Sequence, residues 1–241
     1  MIYKILEKIE RKINTLQGKG WGTSTINNEI LTLKSLNKNI KIAIDIGGNI
    51  GDYSMNLLSN FPEIEIHIFE PSKYNFEILE KRFFGNKKIT INKVALGNSI
   101  GEYKLFSNNP GSGLASLTKR NLDHFGIEFN YEEAVTLSTF EHYWENVLQK
   151  KNIDFIKIDV EGHELDVMKG MGKAIENIKI IQFEFGGTCI DTRTFFQDYW
   201  YFFKNNSFKI FRIGPLGLNE IKNYKESDEY FLTTNYLCVK N

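Results

Sequence analysis

The chain has 241 residues, 41% of them hydrophobic and 14% aromatic, which is room for one large domain and too apolar a composition for a disordered one. Lys plus Arg total 30 and Asp plus Glu total 30, and this zero net charge argues against a protein built mainly to neutralise nucleic-acid phosphates. Two cysteines, Cys189 and Cys238, are too few for a disulfide framework and point to a reducing compartment.

No apolar run reaches the roughly 18 to 20 residues that span a bilayer. The opening MIYKILEKIERKI lacks the unbroken apolar stretch of a secretory signal, so a soluble cytoplasmic location is expected. Residues 1–40 read as an N-terminal helical extension. Within it Ile2, Ile5, Leu6, Ile9 and Ile13 recur at helical spacing, with Lys4, Lys8, Arg11 and Lys12 mostly elsewhere on the wheel. Such a helix packs on its own domain or on a second subunit, giving a homodimer; a basic amphipathic helix can also lie on an anionic membrane surface. Residues 18–39 read as a connector and a second short helix.

From residue 41 to 241 the pattern is that of an α/β domain. KIAIDIG is a strand followed by glycines and the helix DYSMNLLSNF; EIEIHIFE is a second strand, followed by the helix SKYNFEILEKRFF with Ser72 placed to cap it. ITINKVAL is a third strand. IDFIKIDV is a fourth, with HELDVMKGMGKAIEN as its helix, and IKIIQFEF a fifth, followed by the helix TRTFFQDYWYFFKNN. FKIFRI and YFLTTNYLCVK are strands six and seven, joined by a loop that suits an antiparallel final pair. Strand alternating with helix means a mostly parallel sheet covered on both faces. The segment 98–140 interrupts the alternation; GEYKLFSN looks like an added strand, and the glycine- and serine-rich loop after it is either a long connection or a substrate-side insertion.

The chemistry gathers at the strand ends. In Asp45-Ile46-Gly47-Gly48-Asn49-Ile50-Gly51-Asp52-Tyr53 an apolar strand ends in an acid, turns on glycines and enters a helix, the layout of a nucleotide-type cofactor site. The dinucleotide pattern G-x-G-x-x-G fails in both registers, while D-x-G-x-x-x-G fits; a nicotinamide enzyme is the residual alternative. Glu70 ends the second strand 19 positions after Gly51, where an acid accepts hydrogen bonds from ribose hydroxyls or is merely a solvated cap. Small residues near Ala95 end the third strand and leave room for an adenine ring. In FIKIDVEGHE, Lys157 and Asp159 share a face; with Asp45 and Glu184 they are expected to meet in one crevice, either as a site or as a buried ion-pair network. Asp159, Glu161 and His163 lie on the turn into the next helix.

DIGGNIGDYS, IFEPSKYNFEIL, VALGNSIGEYKLF, SGLASL, TLSTF and IDFIKIDVEGHELDVMKG occur in an order that resembles the FkbM family of methyltransferases over about residues 41–186. The resemblance implies a class I methyltransferase fold, a Rossmann-like seven-stranded, mostly parallel sheet of order 3-2-1-4-5-7-6 with strand seven antiparallel and helices on both faces. It implies S-adenosylmethionine as methyl donor, S-adenosylhomocysteine as product, and a hydroxyl as acceptor. Carried over, the cofactor loop is Asp45, Gly47, Asn49 and Gly51, the ribose acid Glu70 and the adenine wall Ala95; Gly48, Tyr53, Pro71, Ser72, Ser116 and Asp159 complete the expected contacts. Ala115 stands where the family's loop usually has a serine.

Methylating a hydroxyl needs an aligned nucleophile and a proton acceptor. The expected base is His163, oriented by Asp159 or Glu161, unless it merely begins a helix; Glu184 is the second candidate, and Lys157 belongs to the same constellation. Asp159 and Glu184 would suit Mg²⁺, but no spacing demands a metal and none is expected. The family's habit suggests a sugar hydroxyl as acceptor, of a nucleotide-linked or surface-glycan sugar in capsule or lipopolysaccharide synthesis. The alternatives are a macrolide or lipid hydroxyl, or a non-catalytic cofactor-binding relative. Trp144, Tyr199 and Trp200 are either stacking platforms or core.

Overall fold

The computed structural model describes residues 2–23 and 25–241, so Met1 and Ser24 of the predicted extension lie outside it. Two helices come first, α1 (Ile2–Leu16) and α2 (Ile26–Leu36). The α/β alternation then runs β1 (Ile42–Ile46), α3 (Asp52–Asn60), β2 (Glu65–Phe69), α4 (Lys73–Arg82), β3 (Ile89–Asn92) and β4 (Ala95–Leu96). β5 (Gly101–Ser107), β6 (Tyr131–Ser138) and α5 (Phe140–Asn146) follow, then β7 (Ile153–Ile158), α6 (Glu164–Lys169) and β8 (Ile178–Phe185). The chain finishes with α7 (Thr188–Thr192), α8 (Phe196–Asn205), β9 (Phe208–Gly214), β10 (Gly217–Glu220) and β11 (Thr234–Lys240).

The main sheet has the order β10-β9-β11-β8-β7-β1-β2-β3, with β11 antiparallel to both neighbours. Without β10 this is the order 3-2-1-4-5-7-6. The sheet has eight strands rather than seven because GLNE folds back on the edge strand β9 as a hairpin. β7 sits centrally between β1 and β8, and all six of its residues are buried, as a strand covered on both faces requires. One face packs on α2, α3 and α4 through Ile30, Leu33, Leu57 and Leu79; the other packs on α5, α6 and α8. Trp144, Tyr199 and Trp200 belong to that second core and stack on no open cleft.

Two expected elements change. ITINKVAL is not one strand: β3 ends at Asn92, and Ala95–Leu96 leaves the sheet to pair with β6. HELDVMKGMGKAIEN breaks at Gly170 into α6 and a short 3-10 helix. The insertion is less irregular than its length suggested, since β5 and β6 form an antiparallel hairpin that joins β4 in a second sheet. α2 is built into the fold through Ile30 and Leu33, whereas α1 buries none of its residues.

Candidate active site

The carboxyl ends of β1, β2 and β7 are laced together by backbone. Asp159 N donates to Ile46 O at 2.9 Å, while Gly47 N and Gly48 N both donate to Phe69 O, at 2.9 and 3.1 Å. The turn demands its glycines: Gly47 has φ +83°, and a Cβ there would lie 1.8 Å from the Asp159 carbonyl. Gly51 has φ +88° where α3 begins, and its Cβ would press on Phe83 and Leu79. Gly51 is therefore needed for the turn and its packing; it lines neither cleft described below. Asp45 is likewise beneath the site. It is fully buried, its Oδ2 accepts from Ser54 Oγ at 2.6 Å, and burial raises its pKa.

The first cleft, with an empty volume of about 720 Å³ including its mouth, opens above Glu70. Asn49 N donates to Glu70 Oε2 at 2.8 Å and Ser72 N to Oε1 at 2.9 Å. Both bonds favour the carboxylate, yet burial outweighs them and pushes its pKa up to about 7. Pro71, Phe69, Val94, Ala95 and Leu96 supply an apolar wall, and Asn49 and Asn75 polar corners. The predicted cap at Ser72 is not made: its hydroxyl gives α4 no hydrogen bond and lines no cleft. Ser116 is also turned away, its Oγ donating to Glu161 O at 2.8 Å, so it braces the exit turn while Ala115 faces the cleft.

A second cleft of about 850 Å³ adjoins the first at Gly47, Asn49 and Asp159. Lys157, Asp159, Glu184 and Tyr53 line it, so the predicted crevice exists with Asp45 as its buried underside. Lys157 Nζ donates to Asp159 Oδ2 at 2.8 Å and sits 4.8 Å above the Tyr53 ring. Burial alone would lower its pKa, but Asp159 and Asp45 hold it above the usual value, so it is charged. Tyr53 turns its hydroxyl away, donating to Gln182 Oε1 at 2.9 Å. Sequence reasoning missed Glu29 and Asn235, which close this cleft from α2 and β11. Glu29 accepts from Thr25, Gln182 and Asn235. Its signal was readable, for Glu29 shares a helix face with Ile26, Ile30 and Leu33.

The turn after β7 carries the remaining candidates, and Glu161 and His163 both line the first cleft. Glu161 is held at φ +54°, a left-handed backbone, with Arg120 Nη1 donating to its Oε2 at 3.1 Å. Burial, then the charge of Asp159, raises its pKa to about 8 despite Arg120. Glu184 is pushed well above the ordinary range by burial and by Asp159 and Glu161. His163 is not oriented by Asp159 or Glu161. Asp166 Oδ2 lies 3.0 Å from its Nδ1, and Thr118 Oγ1 lies 3.0 Å from its Nε2. Arg120, Thr118 and Asp166, which hold Glu161 and His163 from behind, are partners the sequence did not disclose. No metal-holding group of three or more His, Cys, Asp or Glu occurs among the described residues.

The methyltransferase FkbM domain model matches residues 45–210, well over half of the chain. This chain belongs to the FkbM methyltransferase family. Curated relatives of this FkbM chain include "Methyltransferase sdnD" of Sordaria araneosa, 28% identical over 53% of this chain and 59% of that one. "Methyltransferase 1" of Beauveria bassiana is 20% identical over 53% of this chain and 57% of that one. The alignments thus span less than two thirds of those relatives. In fold, the FkbM chain is similar to a Staphylococcus aureus protein provisionally named a caffeoyl-CoA O-methyltransferase: TM-score 0.50, 12% identity, 97% of this chain and 91% of that one. A provisionally named O-methyltransferase from Klebsiella pneumoniae also gives 0.50, at 9% identity over 91% and 81%. The fold is that of class I methyltransferases, and the family is one of S-adenosylmethionine-dependent methyltransferases. The clefts suit that cofactor: Asn49 Oδ1 and Asn75 Oδ1, both buried and at the cleft above Glu70, lack hydrogen-bond partners. No helix among the described residues is long and apolar enough to cross a membrane.

Proposed function

We propose that this protein is an S-adenosylmethionine-dependent O-methyltransferase acting on a hydroxyl of a glycan sugar. When bound, S-adenosylmethionine supplies a methyl carbon on a positively charged sulfonium, open to in-line displacement. Glu70 accepts hydrogen bonds from the ribose hydroxyls with the lone pairs its two backbone donors leave free. Asn49 and Asn75 offer their unpaired oxygens, and the wall from Phe69 to Leu96 takes the adenine. Gly47 and Asp159, at the junction of the two clefts, and Gly48, in the second, receive the amino-acid part, with Lys157 beside its carboxylate.

The observation that carries the acceptor assignment is the carboxylate-rich rim. Asp159, Glu161 and Glu184 crowd one edge, and Lys157 is already committed to Asp159. Carboxyl groups exchange hydrogen bonds with hydroxyls, and Lys157, being paired with Asp159, is not free to receive a phosphate, which favours a neutral polyol over a nucleotide-linked sugar. The second cleft has few apolar walls beyond Ile26, Ile50 and Tyr53, which disfavours a macrolide or lipid.

Glu161 takes the proton of the attacking hydroxyl, since burial has raised its proton affinity towards working pH. This moves the base from His163, whose Nε2 is occupied by Thr118. His163 instead pins the 112–118 loop to the exit turn. Incubating the protein with S-adenosylmethionine and separate panels of neutral oligosaccharides and nucleotide sugars, read by mass spectrometry for the gain of one CH₂, tests the assignment. Methylation of neutral glycans is expected. Product only from nucleotide sugars overturns the acceptor class, and cofactor binding without turnover on either panel favours the non-catalytic reading.

A further inference from the structure

α1 is a helix of 15 residues that buries none of them, and its apolar residues Ile2, Ile5, Leu6, Ile9, Ile13 and Leu16 are between 49% and 67% exposed. A lone helix of this length is marginal in water. It is rooted at its carboxyl end, where Asn14 Nδ2 donates to the Tyr230 hydroxyl at 3.3 Å and Gly18 packs against Gly214 of β9. Two residues past that contact, Leu216 at the β9–β10 turn is 82% exposed.

The stripe has the spacing of a helix that pairs with its own kind. Ile2, Leu6, Ile9, Ile13 and Leu16 alternate steps of four and three residues, the a/d seam of a heptad repeat. Its two borders differ in charge. Lys8 and Lys12 lie along one, Glu10 along the other with Glu7 behind it. A helix built for an anionic bilayer would border its stripe with cations on both sides. Two such helices running antiparallel bring Glu10 against Glu10 and lysine against lysine across the two-fold axis. Running parallel, each acidic border faces the partner's basic one.

We infer that α1 is an assembly helix, which pairs in parallel with α1 of a second copy of this chain along Ile2, Leu6, Ile9, Ile13 and Leu16. The occupant of the exposed stripe is the same stripe on the partner, and the helix becomes stable only in the pair. The inference does not depend on the acceptor or the base assigned above.

Sedimentation velocity of the full chain over a concentration series tests it, with a particle of twice the chain mass expected. The double substitution Ile9→Glu, Ile13→Glu is expected to return the monomer while leaving S-adenosylmethionine binding unchanged, because neither side chain belongs to the core of the domain or lines its clefts. An Ile2→Cys variant treated with oxidised glutathione is expected to give a disulfide-linked dimer, since native Cys189 and Cys238 are both buried. A chain that stays monomeric throughout overturns the inference, as does a monomer that floats with phosphatidylglycerol vesicles or a dimer that survives the double substitution. Cross-linking of Ile2→Cys only to a Leu16→Cys copy overturns the parallel orientation.

Discussion

Glu70 sets two effects against each other within one side chain. Its two backbone donors favour the carboxylate, yet burial wins and leaves the group half-protonated near neutrality. Ribose hydroxyls donating to it favour the ionised form, so cofactor binding near pH 7 should release a proton. Calorimetric titrations in two buffers of different ionisation heat would show it, and equal heats would count against the ribose assignment. Glu70→Gln should weaken cofactor binding about ten- to hundredfold, the roughly 1.5–3 kcal/mol of hydrogen bonds to a charged group. For Glu161, whose pKa lies at about 8, turnover should rise with pH through that value. Glu161→Gln should abolish that limb and lower kcat by about two to four powers of ten, whereas His163→Ala should keep the limb. At this scale the sequence disclosed which acids end which strands. It could not disclose where side chains turn. Ser116 and Tyr53 sit where expected but spend their hydroxyls on Glu161 O and Gln182, and His163 finds its partner three residues along, at Asp166.

Among the elements, the β1–α3 turn is the least tolerant of change. Gly47→Ala must displace the Asp159 carbonyl as well as accept a left-handed backbone, which alone costs about 1–3 kcal/mol. At about 2–4 °C per kcal/mol for a chain of this size, Tm should fall by about 5 °C or more in a thermal melt. α2 is part of the same machinery, since Glu29 closes the second cleft and Leu33 is fully buried. Leu33→Ala should cost about 2–5 kcal/mol in urea unfolding; Leu6→Ala on α1, tested at high dilution, should cost almost nothing. Elements with a strong period were legible, and a second short helix was expected within residues 18–39, the stretch that holds α2. β6 was not, although Val135 and Leu137 alternate with exposed neighbours in YEEAVTLS. β10 carries little pattern because it exists only by pairing with the edge that β9 offers.

For the molecule as a whole, buried carboxyl groups shape the response to pH. Glu70, Glu161 and Glu184 all have folded pKa values raised above the ordinary 4.5. The folded state therefore holds protons that the unfolded chain has given up, and the stability this brings is complete below about pH 4.5. It is lost as pH rises through about 7 for Glu70 and about 8 for Glu161. Urea midpoints of the cofactor-free protein should decline from pH 5 to pH 8, and a rise over that range would contradict the burial of these acids. Strand order was available in advance only through the resemblance to the FkbM family; the residues themselves announced the mostly parallel sheet and an antiparallel final pair, whose strands have no helix between them. The eighth strand and the second sheet depended on pairings that no single segment announces. A ligand that met the unpaired oxygens of Asn49 and Asn75 would stabilise the folded chain by mass action, so S-adenosylmethionine is expected to raise its thermal midpoint.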